Sequence, residues 1–483
     1  MDPNHRAPPY QPMLRESISR FFAEHRRGAT DFAGFSSIFS RMLHASPDPP
    51  IPVLWFYAAL EFRGTATLSA AKDLFQLLAS CSGACGSTKR IAALAPLIFV
   101  LHRAALREGE PRSEVEGLVE GVVGYCSIFC GREIRDDDVA LLEGDFGDLI
   151  KVWMVDHDGD CVRGFFPFVT DEFLRKGIQK GCEVGFLAGV VMCEALFFKL
   201  CFAFQTGISR AEQENKLMAS AVQTITGFRS FRFLDTLFRM MLEPVLPVTS
   251  ILGSENEVLL KEVLYNSVMM VEYSFINPQA EFSLYANSLK DVAITWLFVA
   301  ELAVQSAREK GDQGKAMSYI NAFCRSCIPI QLINWVTNQS CVGRKISRPN
   351  VSTPIALIKW LLVVEEQGFA VFGGDTAKQI NFMLKANFFT SRTECLLPVI
   401  KHFFNNLDNN LFLNSINGEG KADKLDGDIE MLDTVDTVSL AAADRTRKRK
   451  EGIEDDTKTQ LKYMRCQFHE NSVRENSFIF RQE

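Results

Sequence analysis

Apolar side chains recur along most of the chain at the spacing of an α-helix. Near the N-terminus, Leu14, Ile18, Phe21 and Phe22 fall at positions i, i+4, i+7 and i+8, which share one helical face. Residues 396–411 repeat this spacing near the other end of the pattern. Alternating apolar and polar residues, which would indicate strands, are scarce. The pattern therefore predicts an all-α protein.

Helix-start signals agree with this periodicity. In four places a Ser is followed three residues later by Glu just before an apolar run, so that each side chain can bond the other's backbone N–H. These capping boxes are Ser113/Glu116, Ser209/Glu212, Ser254/Glu257 and Ser391/Glu394. Together the two signals predict a helical body over residues 13–415, after a disordered, proline-containing tail over residues 1–12.

Several predicted helices are apolar on more than one face, including residues 258–271 and 297–304. A helix of this kind needs neighbours on two sides, and a stack of antiparallel helix pairs supplies them. No fixed repeat period accompanies the pattern. Two architectures remain open: an irregular HEAT- or armadillo-like solenoid, and an irregular globular helical domain.

The most membrane-like stretch is "GFLAGVVMCEALFFKLCFAF", residues 185–204. Glu194 and Lys199 interrupt it, and both would be costly at the middle of a bilayer. We interpret the stretch as a buried core helix rather than a membrane span. We therefore expect no contact with a membrane.

The composition changes after Asn414. Residues 416–460 are polar, charged and poor in aromatic side chains, which predicts a disordered linker. In the last stretch, residues 461–483, Leu461, Met464 and Phe468 fall at i, i+3 and i+7. We interpret this stretch as a short docking segment that orders on a partner.

A short basic cluster interrupts the acidic linker. Lys/Arg runs of this kind in a flexible tail are typical of signals that an import receptor reads, and they also suit phosphate groups. A solvated charge block and direct contact with nucleic acid are the alternatives to a nuclear import signal. The cluster comprises Arg445, Arg447, Lys448, Arg449 and Lys450.

The overall composition bears on nucleic-acid binding and on the cellular compartment. The chain has a formal net charge of −7, which provides no general attraction to nucleic acid, so we expect no direct contact with it. The 39 Phe against 5 Trp and 8 Tyr favour core packing over base stacking. The 13 Cys show no disulfide framework and indicate a reducing compartment.

No motif predicts catalysis or a metal site. "DHDGD" at 156–160 resembles a calcium loop, but Cys161 and Pro167 occupy the positions that require Gly and Glu. Cys324 and Cys327 have the spacing of zinc ligands without a further pair nearby. "RDDDVALLE" at 135–143 fits an acidic helix start better than a diphosphate site. We expect no enzyme activity, no cofactor and no metal.

The tail segments "KRKEG" and "KYMRCQFHENSVRENS" (Lys462–Ser477), together with the helical body, resemble a plant protein family. That family supplies a non-SMC-element subunit of the SMC five-six complex, a cohesin-related machine for DNA repair. The resemblance implies a non-catalytic helical-repeat scaffold that pairs with a second armadillo-like subunit and acts on the SMC ATPases. It carries over no catalytic residue.

These observations favour a nuclear scaffold or adaptor that works through protein–protein contact in chromosome maintenance. An import receptor and subunits of an SMC-type complex are the expected partners. A cytoplasmic or trafficking adaptor of similar architecture is the first alternative. A helical enzyme whose site is assembled from distant residues is the second.

Overall fold

The computed structural model describes residues 10–65, 67–107, 109, 111–130, 146–156, 164–170, 173–174, 183–205, 207–243, 245–246, 248, 251–274, 276, 286–338, 349 and 351–372. All of them belong to one unit of the chain, Met1–Asn414. The regular structure of these residues is helical, and they contain no β-strand. The prediction of an all-α protein is confirmed for this part of the chain.

Sixteen helices make up the described fold. They are α1 (Gln11–Arg26), α2 (Ala33–Ala45), α3 (Ile51–Phe62), α4 (Leu68–Cys81), α5 (Ser87–Ala92), α6 (Ala95–Ala105), α7 (Arg112–Phe129), α8 (Phe146–Met154), α9 (Val184–Phe202), α10 (Arg210–Gly227), α11 (Phe231–Met241), α12 (Ser254–Met270), α13 (Ala286–Glu309), α14 (Gln313–Arg325), α15 (Cys327–Asn338) and α16 (Pro354–Glu366).

The predicted capping boxes have different outcomes. Ser209 is the N-cap of α10, and its hydroxyl accepts a hydrogen bond from the Glu212 backbone N–H at 3.2 Å, as predicted. The predictions for Ser113 and Ser254 as N-caps are wrong, because each lies inside its helix. In α7, Pro111 holds the N-cap position with φ −65°, the value that its ring imposes. The fourth box lies outside the described residues.

Helix α9 is the centre of the first half of the fold. It contacts α5, α6, α7, α10 and α11, and sixteen of its nineteen residues are buried. Among the described helices it is long and apolar enough to cross a membrane, with a mean hydropathy of 1.9 over an 18-residue window. Its enclosure, with 89% of that window buried, is typical of a core helix. The absence of membrane contact stays a prediction.

Helix α13 has the same role in the second half, where it contacts α11, α12, α14, α15 and α16. Two series of neighbouring helices run through this part of the fold. One series is α7, α10, α12 and α14, and the other is α9, α11, α13 and α16, with each helix touching the next. Helix α11 therefore connects the two central helices α9 and α13.

A close helix crossing joins α9 to α11. A Cβ atom added to Gly189 of α9 would lie 2.6 Å from the Arg232 carbonyl oxygen and 2.6 Å from the Thr236 hydroxyl oxygen. Thr236 itself donates to the Arg232 carbonyl at 3.0 Å, so both atoms are held in place. Glycine is required here because the backbone of α11 occupies the space of a side chain.

We expect Gly189→Ala to lower the free energy of unfolding by about 1–3 kcal/mol, the usual cost of overpacking a core. The matched control is Gly124→Ala on the exposed face of α7, where an added Cβ meets no atom within 4 Å. That change should stabilise the protein by up to about 1 kcal/mol, because alanine favours the helix over glycine. Urea unfolding measures both effects. Equal effects of the two substitutions would contradict the close crossing.

Candidate functional site

The site residues predicted from the sequence all lie outside the described residues. This holds for the import signal, which comprises Arg445, Arg447, Lys448, Arg449 and Lys450, and for the docking residues Leu461, Met464 and Phe468. Both assignments stay predictions. The described residues contain other candidate features, which are a surface groove and several buried ionisable groups.

A solvent-open groove lies between α3 and α4, which pack against each other. The residues that line it recur at helical spacing on one face of each helix, so the groove follows both helices. Helix α3 contributes Tyr57, Glu61 and Phe62, and α4 contributes Asp73, Gln76, Leu77 and Ser80. Several of the apolar side chains also pack against the core and form the base of the groove.

Among the described residues, most polar side chains of this groove have no hydrogen-bond partner; the exception is the Ser80 hydroxyl, which donates to the Leu77 carbonyl at 3.0 Å. Within the described residues, no hydrogen bond or ion pair engages Tyr57, Glu61, Asp73 or Gln76. The neighbouring Lys72 does not neutralise them, since its ammonium group is paired at 2.7 Å with a carboxylate of α7. Two carboxylates beside an aromatic ring are the kinds of group that attract cations.

No sequence motif marks these groove residues. Each of them is an ordinary residue on the outer face of an amphipathic helix. Glu61 and Asp73 come together only because α3 packs on α4, and no motif spans the turn between them. The irregular spacing of acidic residues in the sequence contains no signal for this pairing.

Glu194 is a second functional candidate by chemistry, because it is fully buried inside α9. One carboxyl oxygen accepts a hydrogen bond from the Phe168 backbone N–H at 2.9 Å. The other oxygen has no partner among the described residues. Burial raises the pKa of Glu194 well above its ordinary value. Burial thus favours the neutral form of the carboxyl, which is the form that a core helix accommodates more easily.

The other charged residue of this stretch, Lys199, is stabilised differently. Its ammonium group pairs with Glu120 of α7 at 2.9 Å. The aliphatic stem is mostly covered, and the charged end reaches the edge of the core. Neither residue of α9 lines the groove between α3 and α4.

Glu301 is a buried carboxyl in the second half of the fold. One carboxyl oxygen accepts a hydrogen bond from the Gln305 side chain at 3.0 Å, and the other has no partner among the described residues. The backbone N–H of Ile355, at the start of α16, is close enough to favour the ionised form of the carboxyl. Burial raises the pKa of Glu301 to about 7, against lowering contributions from Gln305 and from Arg308. The carboxyl thus joins α13 to α16 and titrates near neutral pH.

Lys290 and Asp291, near the start of α13, form a further cluster of partly or fully buried charged groups. The Lys290 ammonium lies 3.5 Å from the Asp291 carboxylate and 5.2 Å from the centre of the Trp335 ring. Burial raises the pKa of Asp291. Asp235 and Arg239 of α11 form an ion pair at 2.7 Å nearby and act on Asp291 electrostatically. These contacts join α11, α13 and α15 and have a structural role.

The structure describes some of the residues that the sequence offered as candidate metal ligands. Asp156, the first residue of "DHDGD", pairs with His25 at 2.9 Å and with Arg63 at 3.5 Å. The remainder of that loop lies outside the described residues. Cys324 and Cys327 lie on different helices, and the Cys324 thiol donates to a backbone carbonyl of another segment. Among the described residues, no three His, Cys, Asp or Glu side chains are grouped as around a metal ion.

Several of the other cysteines have buried thiols. Cys126, Cys193 and Cys201 are buried, and desolvation raises the pKa of each thiol. A thiol with a raised pKa is a poor nucleophile at neutral pH. These cysteines therefore serve packing.

Comparison with known proteins does not assign the chain to a protein family. No protein-family model, no curated protein and no solved structure matches it.

We expect the stability of the protein to fall as the pH rises through the titration of Glu301. The carboxyl has an ordinary pKa of 4.5 when unfolded and about 7 when folded, so the folded state binds more protons between these values. Its contribution is complete below pH 4.5 and is lost as the pH passes 7. The limiting size is roughly 3 kcal/mol.

Glu301→Gln isolates this contribution, because the amide is similar in shape and does not titrate. The variant should lack the decline, and urea unfolding at pH 5 and pH 8 measures it in both proteins. Burial lowers the pKa of His102 to about 4, which gives a slope of opposite sign, so the difference between parent and variant is the quantity to use. Parallel pH profiles would contradict the assignment.

Proposed function

We propose that the protein is a helical scaffold that works through protein–protein contact, with the irregular architecture of a HEAT- or armadillo-like solenoid. The observation that supports this proposal is the pair of helix series, α7–α10–α12–α14 and α9–α11–α13–α16, in which each helix touches the next. Successive helix pairs of this kind present long exposed faces, which suit the binding of extended partners. The groove between α3 and α4 is one such surface.

The proposed scaffold acts in the nucleus. Support comes from the basic cluster, which places five cations within the six residues Arg445–Lys450. Short basic runs suit charge-assisted contacts with an import receptor. The 13 Cys, without a disulfide framework, agree with a reducing compartment.

The proposed process is chromosome maintenance and DNA repair, in an SMC-type complex. This part of the proposal rests on the resemblance of "KRKEG" and Lys462–Ser477 to the family of non-SMC-element subunits. Under this proposal a second armadillo-like subunit and the SMC ATPases are the partners. The proposed role is to hold them together, without catalysis and without a cofactor.

We expect replacement of Arg447, Lys448, Arg449 and Lys450 by Ala to shift the protein from the nucleus to the cytoplasm. The four cations provide the charge-assisted contacts of the import signal. A fluorescent fusion too large to diffuse through nuclear pores measures the shift. The control replaces Lys421 and Lys424 by Ala, two cations of the same linker outside the cluster. Undiminished nuclear accumulation of the first variant would contradict the signal.

Membership of an SMC-type complex has its own test. The full chain, purified from nuclei, should bring down the two SMC ATPases in fixed proportion. Replacing Leu461, Met464 and Phe468 by Ala should reduce this recovery at least tenfold if the docking segment holds the partner. Recovery of trafficking proteins from cytoplasm, without SMC ATPases, would favour the adaptor alternative and contradict the proposal.

A further inference from the structure

We propose that α16 is a strap over the central helix α13, and that the charge of Glu301 controls how often the strap opens. A neutral Glu301 keeps α16 packed on α13, and an ionised Glu301 favours its detachment. The opening is local and leaves the rest of the helical body folded. This device does not depend on the proposed scaffold role or on any partner.

Helix α16 has the packing of an element that can open alone. It is the last described helix along the chain, and α13 is its main helical neighbour among the described residues. Helix α13 also contacts α11, α12, α14 and α15, so most of its cover stays in place when α16 leaves. Regions with few neighbours open at a lower free-energy cost than the core of the same protein. The buried face of α16 comprises Pro354, Leu357, Ile358, Leu361, Leu362 and Val364.

Polar contacts hold the two ends of this strap. Before α16, the Ser352 carbonyl accepts a hydrogen bond from the exposed Cys324 thiol of α14 at 3.5 Å. After α16, the half-buried Glu365 carboxylate accepts one from the Phe372 backbone N–H at 3.0 Å, and the Lys290 ammonium of α13 favours its ionised form. Water can replace hydrogen bonds of this kind near the surface. The end contacts therefore guide α16 without locking it.

Glu301 is the buried polar group where the two helices meet. Only 3% of the residue is exposed. One carboxyl oxygen is bonded to Gln305, and the other has no partner among the described residues. The Ile355 backbone N–H, in the first turn of α16, lies close to it. Closure of α16 keeps water from this incompletely bonded carboxyl, and that loss costs much more for the ionised form than for the neutral form.

Two cations act on Glu301, one from each helix. Arg308 lies on α13 and Lys359 lies on α16. In the described part of the chain, α11, α12, α14 and α15 add no further charged group at Glu301. Both cations favour the ionised form, but burial outweighs them and raises the pKa of Glu301 to about 7. The carboxyl therefore changes its charge near neutral pH.

The sign of the effect follows from the two states of the strap. Glu301 has an ordinary pKa of 4.5 when it is hydrated in the open state and about 7 in the closed state, so the closed state binds the proton more tightly. The equilibrium constant for opening therefore rises with pH, by about tenfold between pH 6 and pH 8, and levels off at higher pH. The apolar face keeps α16 mainly closed throughout. The pH sets the frequency of opening.

Hydrogen exchange of the purified full chain tests the proposal. In the regime where exchange follows the opening equilibrium, the protection factor of α16 peptides should fall about tenfold from pH 6 to pH 8, after correction for intrinsic exchange rates. Peptides of α9 report on larger openings and should stay more strongly protected. The same protection factor in α16 and α9 at both pH values would show that α16 opens only with the whole body, and would overturn the proposal.

Glu301→Gln shows whether this carboxyl is the group that titrates. The amide is similar in shape and does not ionise, so most of the pH dependence of α16 protection should disappear. A small remainder of the same sign can come from Glu365, because burial raises the pKa of that carboxyl too. The control Glu366→Gln changes an exposed residue of the same helix and should keep the tenfold fall of the parent. An undiminished fall in Glu301→Gln would contradict the device.

Lys359→Gln provides a second variant at an exposed position, where the fold tolerates the change. The substitution removes a cation that favours the ionised form of Glu301 in the closed state. The fall in α16 protection between pH 6 and pH 8 should therefore exceed that of the parent. A smaller fall than in the parent would be the wrong sign for the proposed control. All three variants use the isolated chain, so failure of the nuclear or SMC proposals leaves these results interpretable.

Discussion

The described fold depends on the burial of α9. Its side chains are apolar around the whole helix, so no orientation leaves a suitable face for water, and neighbours are needed on every side. Five other helices provide this cover. One of them, α11, crosses α9 closely at Gly189, and α11 in turn contacts α13, the second central helix. Packing around one apolar helix thus organises both halves of the body.

This arrangement also determines the state of the acidic groups in the core. Glu194 and Glu301 are removed from water and lack full hydrogen bonding among the described residues, so their neutral forms are favoured. Glu194 nevertheless accepts a hydrogen bond from the Phe168 backbone N–H, and Glu301 accepts one from the Gln305 side chain. Both groups are explained by packing, and neither lines the surface groove.

Charged side chains at the surface differ from those in the core in how they are paired. Most described cations near the first helices are paired or stacked on aromatic rings; Arg63 is an example, lying 5.0 Å from the centre of the Phe21 ring. In the groove between α3 and α4, by contrast, no cation among the described residues pairs with Glu61 or Asp73. In the same chain, the basic cluster is flanked by acidic linker.

The sequence by itself determined the all-α class, the cap at Ser209 and the burial of α9, because periodicity, caps and uniform apolarity act over a few neighbouring residues. The same local rules misplaced the caps at Ser113 and Ser254, because the actual N-caps are Pro111, two residues earlier, and Gly253, one residue earlier. Only the tertiary structure decided that α9 and α13 are the central helices, that Glu301 meets α16, and that Glu61 and Asp73 share a groove. These features join residues far apart in sequence, and they depend on how helices pack, which local periodicity does not specify.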